Sequence, residues 1–147
     1  MHYRRRLGGD GLRAMTRVLV VDDTEDILTM VQGVAQRMGL TTAILNNTVT
    51  FMTTFVRFKP DIVVLDIVMP NLDGIEIIHW LTDVDYTGRL IIMSGYADYH
   101  RMSEALAEAN GRMQIASLRK PFRIAELQAA LRGEPLPRTA TIGLGLS

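Results

Sequence analysis

Two apolar patterns take turns along the chain. Short runs rich in branched aliphatic residues alternate with longer stretches whose apolar residues fall three and four apart. Arg17–Asp22 (RVLVVD) is the first short run. Its unbroken apolar character predicts a strand buried on both faces, and an acid closes it. From Thr24 to Met38, residues Ile27, Leu28, Val31, Val34, Ala35 and Met38 recur at helical spacing, and Gly39 stands where a helix stops. Thr41–Leu45 predicts a weaker second strand, and Val49–Phe58 an amphipathic helix closed by Lys59-Pro60. Asp61–Asp66 (DIVVLD) then repeats the design of the first strand. Met69-Pro70-Asn71 is loop chemistry, and Asp73–Thr82 predicts a helix with Ile75, Ile78 and Leu81 on one face. Leu90–Met93 predicts the fourth strand, Asp98–Ala109 a helix, Ile115–Leu118 the last strand, and Ile124–Leu131 a final helix ended by Gly133.

Five strands alternating with five helices over short connections predict right-handed βαβ crossovers and a parallel sheet covered on both faces. The expected fold is a doubly wound, flavodoxin-like (βα)5 α/β fold with strand order 2-1-3-4-5. Composition agrees with one such domain: 147 residues, 48% of them hydrophobic, suffice for a single core and argue against disorder. Lys+Arg and Asp+Glu are equal at 16 each, so no bulk charge draws the chain toward nucleic acid or an anionic membrane. No cysteine is present, which excludes a disulfide scaffold, thiol catalysis and cysteine zinc sites and suits a cytoplasmic location. No apolar run approaches the ~20 residues that cross a bilayer. Residues 1–14 (MHYRRRLGGDGLRA) have no apolar segment behind their arginines and are not a secretory signal. We expect residues 1–15 to be a disordered extension, 16–133 the domain, and 134–147 a tail or the start of a linker.

In doubly wound folds, ligands bind outside the carboxyl ends of the strands. Those ends carry Asp22-Asp23, Asp66, Ser94-Gly95 and Lys120-Pro121. In the expected strand order, three carboxylates, one hydroxyl and one ammonium crowd a single rim. Like charges so placed repel unless a cation sits among them, and Mg2+ suits oxygen donors of this kind. An Asp carboxylate serves as a nucleophile toward phosphorus, Lys120 supplies a point charge, and Ser94 a donor. Gly95 leaves room for a group to approach.

The runs VLVVDD (18–23), VVLDIVMPNLDG (63–74), IIMSGYAD (91–98) and KPF (120–122) resemble the receiver domain of two-component response regulators over roughly Thr16 to Arg132. The resemblance implies that Asp66 is the phosphoacceptor, charged by a histidine kinase or a histidine phosphotransfer protein. Asp23, Asp66 and the backbone carbonyl of Val68 would bind Mg2+, with Asp22 acting mainly through water. Ser94 and Lys120 would engage the phosphoryl group, and Lys120-Pro121 would be cis. Such a domain is a signalling phosphoacceptor, not an enzyme, promoting only its own phosphorylation and slow dephosphorylation. Phosphorylation would alter the face formed by the fourth helix, last strand and last helix, controlling a partner, a homodimer contact or an output domain. Direct contact with nucleic acid or membrane is not expected. One departure stands out: receivers often carry an aromatic switch residue three positions before the lysine, where this chain has Ser117. Tyr96 is the nearby aromatic that would take over part of that role.

Each residue also has a plainer reading. Asp22-Asp23 alone would suit a helix N-cap, with Glu25-Asp26 continuing an acidic first turn. Ser94-Gly95 alone would be a turn and Lys120-Pro121-Phe122 a strand exit, with Phe122 in the core. His2, His79 and His100 lack metal-ligand spacing, and Trp80 and Tyr86 read as packing residues. A phosphohydrolase with an Asp nucleophile would need an acid two residues on, where Val68 stands. No phosphate-binding G-x-x-x-x-G-K-[ST] loop occurs, and Ile92 occupies the position where a serine-hydrolase elbow requires glycine. The remaining rival is a receiver-like interaction module that signals without phosphate.

Overall fold

The computed structural model describes residues 16–69, 72–109 and 112–135. The expected N-terminal extension, Pro70-Asn71 and the tail beyond Pro135 lie outside the described residues. Strands β1 (Arg17–Val21), β2 (Thr41–Leu45), β3 (Ile62–Asp66), β4 (Arg89–Ser94) and β5 (Gln114–Arg119) form one sheet. Helices α1 (Glu25–Arg37), α2 (Phe51–Phe58), α3 (Gly74–Asp83), α4 (Tyr99–Glu108) and α5 (Ile124–Arg132) connect and follow them. The sheet is parallel throughout with order β2-β1-β3-β4-β5, the expected doubly wound arrangement. None of the described helices is long and apolar enough to cross a membrane.

Alternation along the strands divides the core. Leu19, Val21, Val63, Leu65, Leu90 and Ile92 point to one face, where Phe51 and Phe55 of α2 and Ile77, Ile78 and Leu81 of α3 cover them. Val18, Val20, Ile62, Val64, Ile91 and Met93 point to the other, under α1 and α5. Strands β3 and β4 are buried along their whole length, so both faces of the sheet centre are dry. On the α2–α3 side Trp80 stands edge-on to Phe55 at 5.1 Å and to Phe51 at 5.9 Å, and the buried Tyr86 donates its hydroxyl to the Pro60 carbonyl. Both are packing residues, and Phe122 packs against the α1–α5 cluster.

Three elements differ locally from what the sequence predicts. Helix α2 starts at Phe51, not Val49, because Asn47 Oδ1 accepts the Val49 N–H at 2.9 Å and holds that segment in a turn. Val49 is left 83% exposed. Strand β4 runs one residue past Met93 to include Ser94, and β5 gains a residue at each end. Immediately after Asp66-Ile67, Val68–Met69 and Leu72–Asp73 pair as a two-residue antiparallel ribbon that no periodicity announced. At the far end of the chain, Gly133 adopts φ 75° and Glu134 N–H reaches back to the Ala129 carbonyl at 2.9 Å. That closure is the reason for a glycine there.

Candidate functional site

Each candidate side chain sits where a strand stops. Asp22 follows the last residue of β1 and stays in register, its N–H donating to the Leu45 carbonyl at the end of β2. Asp66 closes β3 opposite Met93, and Ser94 closes β4 opposite Arg119. Lys120 extends the β4–β5 ladder by one more bond, donating its N–H to the Ser94 carbonyl at 2.6 Å. The parallel register therefore delivers all four strand ends to one rim.

Carboxylate oxygens of Asp22, Asp23 and Asp66 lie within 4.8 Å of one another. Asp22 is fully buried, Asp66 and Ser94 nearly so, while Asp23 is exposed. Both Asp22 oxygens are engaged: Oδ1 accepts the Thr24 N–H at 2.8 Å, and Oδ2 accepts from Lys120 Nζ at 2.8 Å. The same ammonium is 3.4 Å from Asp66 Oδ2. Burial alone would lower the Lys120 pKa. The hydrogen bond to Asp22, with the charges of Asp66 and Asp22, outweighs burial and raises it above the ordinary lysine value. Lys120 is thus held as an ammonium among three acids, and one cation against three anions leaves the rim net negative. A set of hard oxygen donors with an excess of negative charge, open on the Asp23 side, fits Mg2+.

The plain N-cap reading of the Asp pair does not describe this geometry. Thr24, not Asp22 or Asp23, occupies the N-cap of α1, and its side chain makes no capping bond. Asp22 instead turns back on its own loop and points into the rim. Two further features escaped sequence reasoning. Asp98, at the N-cap of α4, accepts the Gly95 N–H at 2.7 Å in place of capping, and so fixes the loop after Ser94. A β-carbon at Gly95 would lie 3.2 Å from that carboxylate oxygen, so the loop is drawn tight against Asp98. The Ser-Gly-x-x-Asp spacing was the available signal. Ser117, at the expected switch position, is exposed on β5 beside Ile92. The Tyr96 side chain lies outside the described residues. Lys120-Pro121 is cis.

A family model for the response regulator receiver domain matches residues 18–132. The chain belongs to this family. Among curated relatives, the receiver is 32% identical over 95 residues to regulatory protein AtoC of Escherichia coli, covering 65% of this chain and 21% of AtoC. It is 28% identical over 116 residues to sporulation initiation phosphotransferase F of Bacillus subtilis, covering 79% of this chain and 90% of that protein. The solved signal receiver domain of a response regulator from Bermanella marisrubri superposes with a TM-score of 0.71 at 26% identity, over 81% of this chain and 97% of that one. The receiver thus spans a small fraction of one relative and nearly the whole of another.

Proposed function

We propose that this receiver is a phosphorylation-controlled switch in which Asp66 accepts a phosphoryl group from a histidine kinase or a histidine phosphotransfer protein. One observation carries the reading: three carboxylates from two adjacent strand ends converge within 4.8 Å, with the Lys120 ammonium among them. A purely structural rim would have no reason to gather that much like charge. An Asp66 carboxylate oxygen attacks phosphorus, an O–P bond forms, and the N–P bond to the donor imidazole breaks. The imidazole leaves protonated, its proton coming from solvent.

Asp23, Asp66 and the Val68 carbonyl would hold Mg2+, with Asp22 acting through water because both its oxygens are already committed. When bound, the ion neutralises phosphoryl and carboxylate oxygens that otherwise repel. Lys120 shifts from Asp66 to a phosphoryl oxygen, and Ser94 donates to another. Withdrawing the ammonium from Asp66 and drawing in Ser94 pulls on the ends of β4 and β5. The α4-β5-α5 face responds, controlling a partner, a homodimer contact or an output domain. The protein acts as a phosphoacceptor, not as an enzyme turning over a substrate.

Intact mass after incubation with acetyl phosphate or a phosphorylated kinase, with Mg2+, tests the reading. One added phosphate is expected, lost on prior chelation with EDTA and in Asp66→Ala. The exposed Ser117 favours one rival, an interaction module that uses the receiver fold without phosphate. No phosphate from any donor would select that rival.

A further inference from the structure

The two edges of the sheet differ. Edge strand β5 ends in the exposed Arg119, the kind of charge that guards an open edge. Edge strand β2, Thr41-Thr42-Ala43-Ile44-Leu45, has no charged residue, no proline and no bulge. From Ile27 to Pro60 the chain contains no Asp or Glu, and its only charges are Arg37, Arg57 and Lys59. The same edge exposes apolar surface: Ile44 on β2, then Val49, Met52 and Val56 in and before α2. Met52 and Val56 each follow a buried Phe, so they lie on the flank of α2 that solvent reaches.

The hydrogen-bonding pattern of β2 is self-complementary. Thr41 N–H donates to Thr16 and Leu45 C=O accepts from Asp22, so residues 41, 43 and 45 turn their backbone groups toward β1. By alternation, Thr42 and Ile44 turn both N–H and C=O away from β1, to the side where no described strand pairs with β2. A two-fold axis normal to the sheet through Ala43 sets Thr42 opposite Ile44 of a second copy, and Ile44 opposite its Thr42. Each pair exchanges two N–H···O=C bonds, which satisfies all four outward groups on each strand. Ala43 meets its own copy at the close, non-hydrogen-bonded position, where a small side chain is wanted. Side chains of Thr42 and Ile44 stay on the α1 side, where Gln32 and Gln36 already donate to Thr42 Oγ1. The two α2 helices come to one side of the joined sheet and run antiparallel. Arg57 and Lys59 of the two copies therefore lie at opposite ends, and no like charges are brought face to face.

We propose that a second copy of this chain pairs on the β2 edge, forming a two-fold dimer with one continuous ten-stranded sheet (five strands from each copy). This contact is separate from the α4-β5-α5 face and needs no phosphate. Sedimentation equilibrium of the unphosphorylated protein over a wide concentration range, joined to amide hydrogen exchange, tests it. The expected result is a mass that doubles as concentration rises, with protection growing in step at the Thr42 and Ile44 amides. Ile44→Lys, which puts a charge on an exposed position of the pairing strand, abolishes the doubling. So does Thr42→Pro, which deletes an outward N–H and no bond to β1. Far-ultraviolet circular dichroism checks that both remain folded. Leu106→Lys, on the exposed side of α4, leaves the dimer intact. A mass that stays monomeric throughout overturns the proposal, as does a dimer that survives Ile44→Lys or is lost in Leu106→Lys.

Discussion

At the amino ends of the strands Asp61 is as fully buried as Asp22 is at the carboxyl ends, yet the two acids live in different company. Asp61 Oδ2 accepts the Arg17 N–H at 2.9 Å, and its backbone bridges Arg17 and Arg89. Nearby, Arg17 donates to the Phe58 carbonyl, and the nearly buried Arg89 donates to the Leu131 carbonyl at the end of α5 at 2.7 Å. A cation at a helix C-terminus also meets the favourable end of the dipole. Charge at this end is spread out and engaged with backbone. At the carboxyl ends charge is concentrated: three acids crowd together, and one ammonium contacts two of them, Asp22 and Asp66. One end of the sheet uses buried polarity to close the fold. The other gathers three carboxylates against one ammonium, which is the expected signature of a site.

Damage at the amino end is expected to cost stability and to spare the carboxyl rim. Arg89→Met leaves the Leu131 carbonyl without its donor, and Gly88→Ala drives a β-carbon into the Tyr86 hydroxyl and to 2.6 Å from the Asp61 carbonyl. Each is expected to lower unfolding free energy by about 2–4 kcal/mol in urea titrations. Phosphorylation of the folded fraction continues. Loss of phosphorylation at wild-type stability would show that the two ends are not separate in role.

A second test works from the other end. Mg2+ at about a hundred times its dissociation constant stabilises by ~2.7 kcal/mol if it binds only the folded state. Thermal midpoints are therefore expected to rise with Mg2+ in wild type and Arg89→Met, and to stay flat in Asp23→Asn and Asp66→Asn. A rise that persists in both Asp variants would place the cation elsewhere.

Smaller effects refine the carboxyl rim. Val68 carries no polar group to orient a hydrolytic water toward phosphorylated Asp66, so phosphate loss should be slow and Val68→Asn should hasten it. Equal decay in the two proteins would remove Val68 from the account.

The smallest effect concerns pH. Lys120 has a folded pKa raised above 10.5, the ordinary lysine value, once the acids have outweighed burial. A raised lysine contributes stability fully below its unfolded pKa and loses it as pH climbs through the folded value. In magnesium-free buffer, the urea-midpoint gap between wild type and Lys120→Gln should hold steady from neutral pH to mildly alkaline, closing only in strong alkali. A gap that narrowed near neutrality would mean that Lys120 is not held by the acids.

Much of this was legible in the chain. Apolar runs ending in acid placed β1 and β3, helical spacing placed α1 and α3, and four short motifs named the family. Asp22, Asp23, Asp66 and Lys120 could be grouped because a doubly wound topology sends strand ends to one rim. Other features were not legible, because no local pattern encodes them. Val49 fits a helix by periodicity, yet a single Asn47 bond holds it in a turn. Arg89 lies outside the expected strand Leu90–Met93, yet it opens β4 and is nearly buried because α5 ends over it. Asp98, expected as the first residue of a helix, precedes α4 and bonds Gly95.

The sequence alone determined the five strands and five helices of the doubly wound layer to within a residue or two, and which chemical groups stand near the strand ends, because periodicity and residue type are local properties. Only the tertiary structure decided that Lys120, 98 residues from Asp22, donates to it at 2.8 Å, and that Asp22 is occupied while Asp23 stays open. Distance and burial are properties of how segments pack, and packing is settled by the whole chain at once.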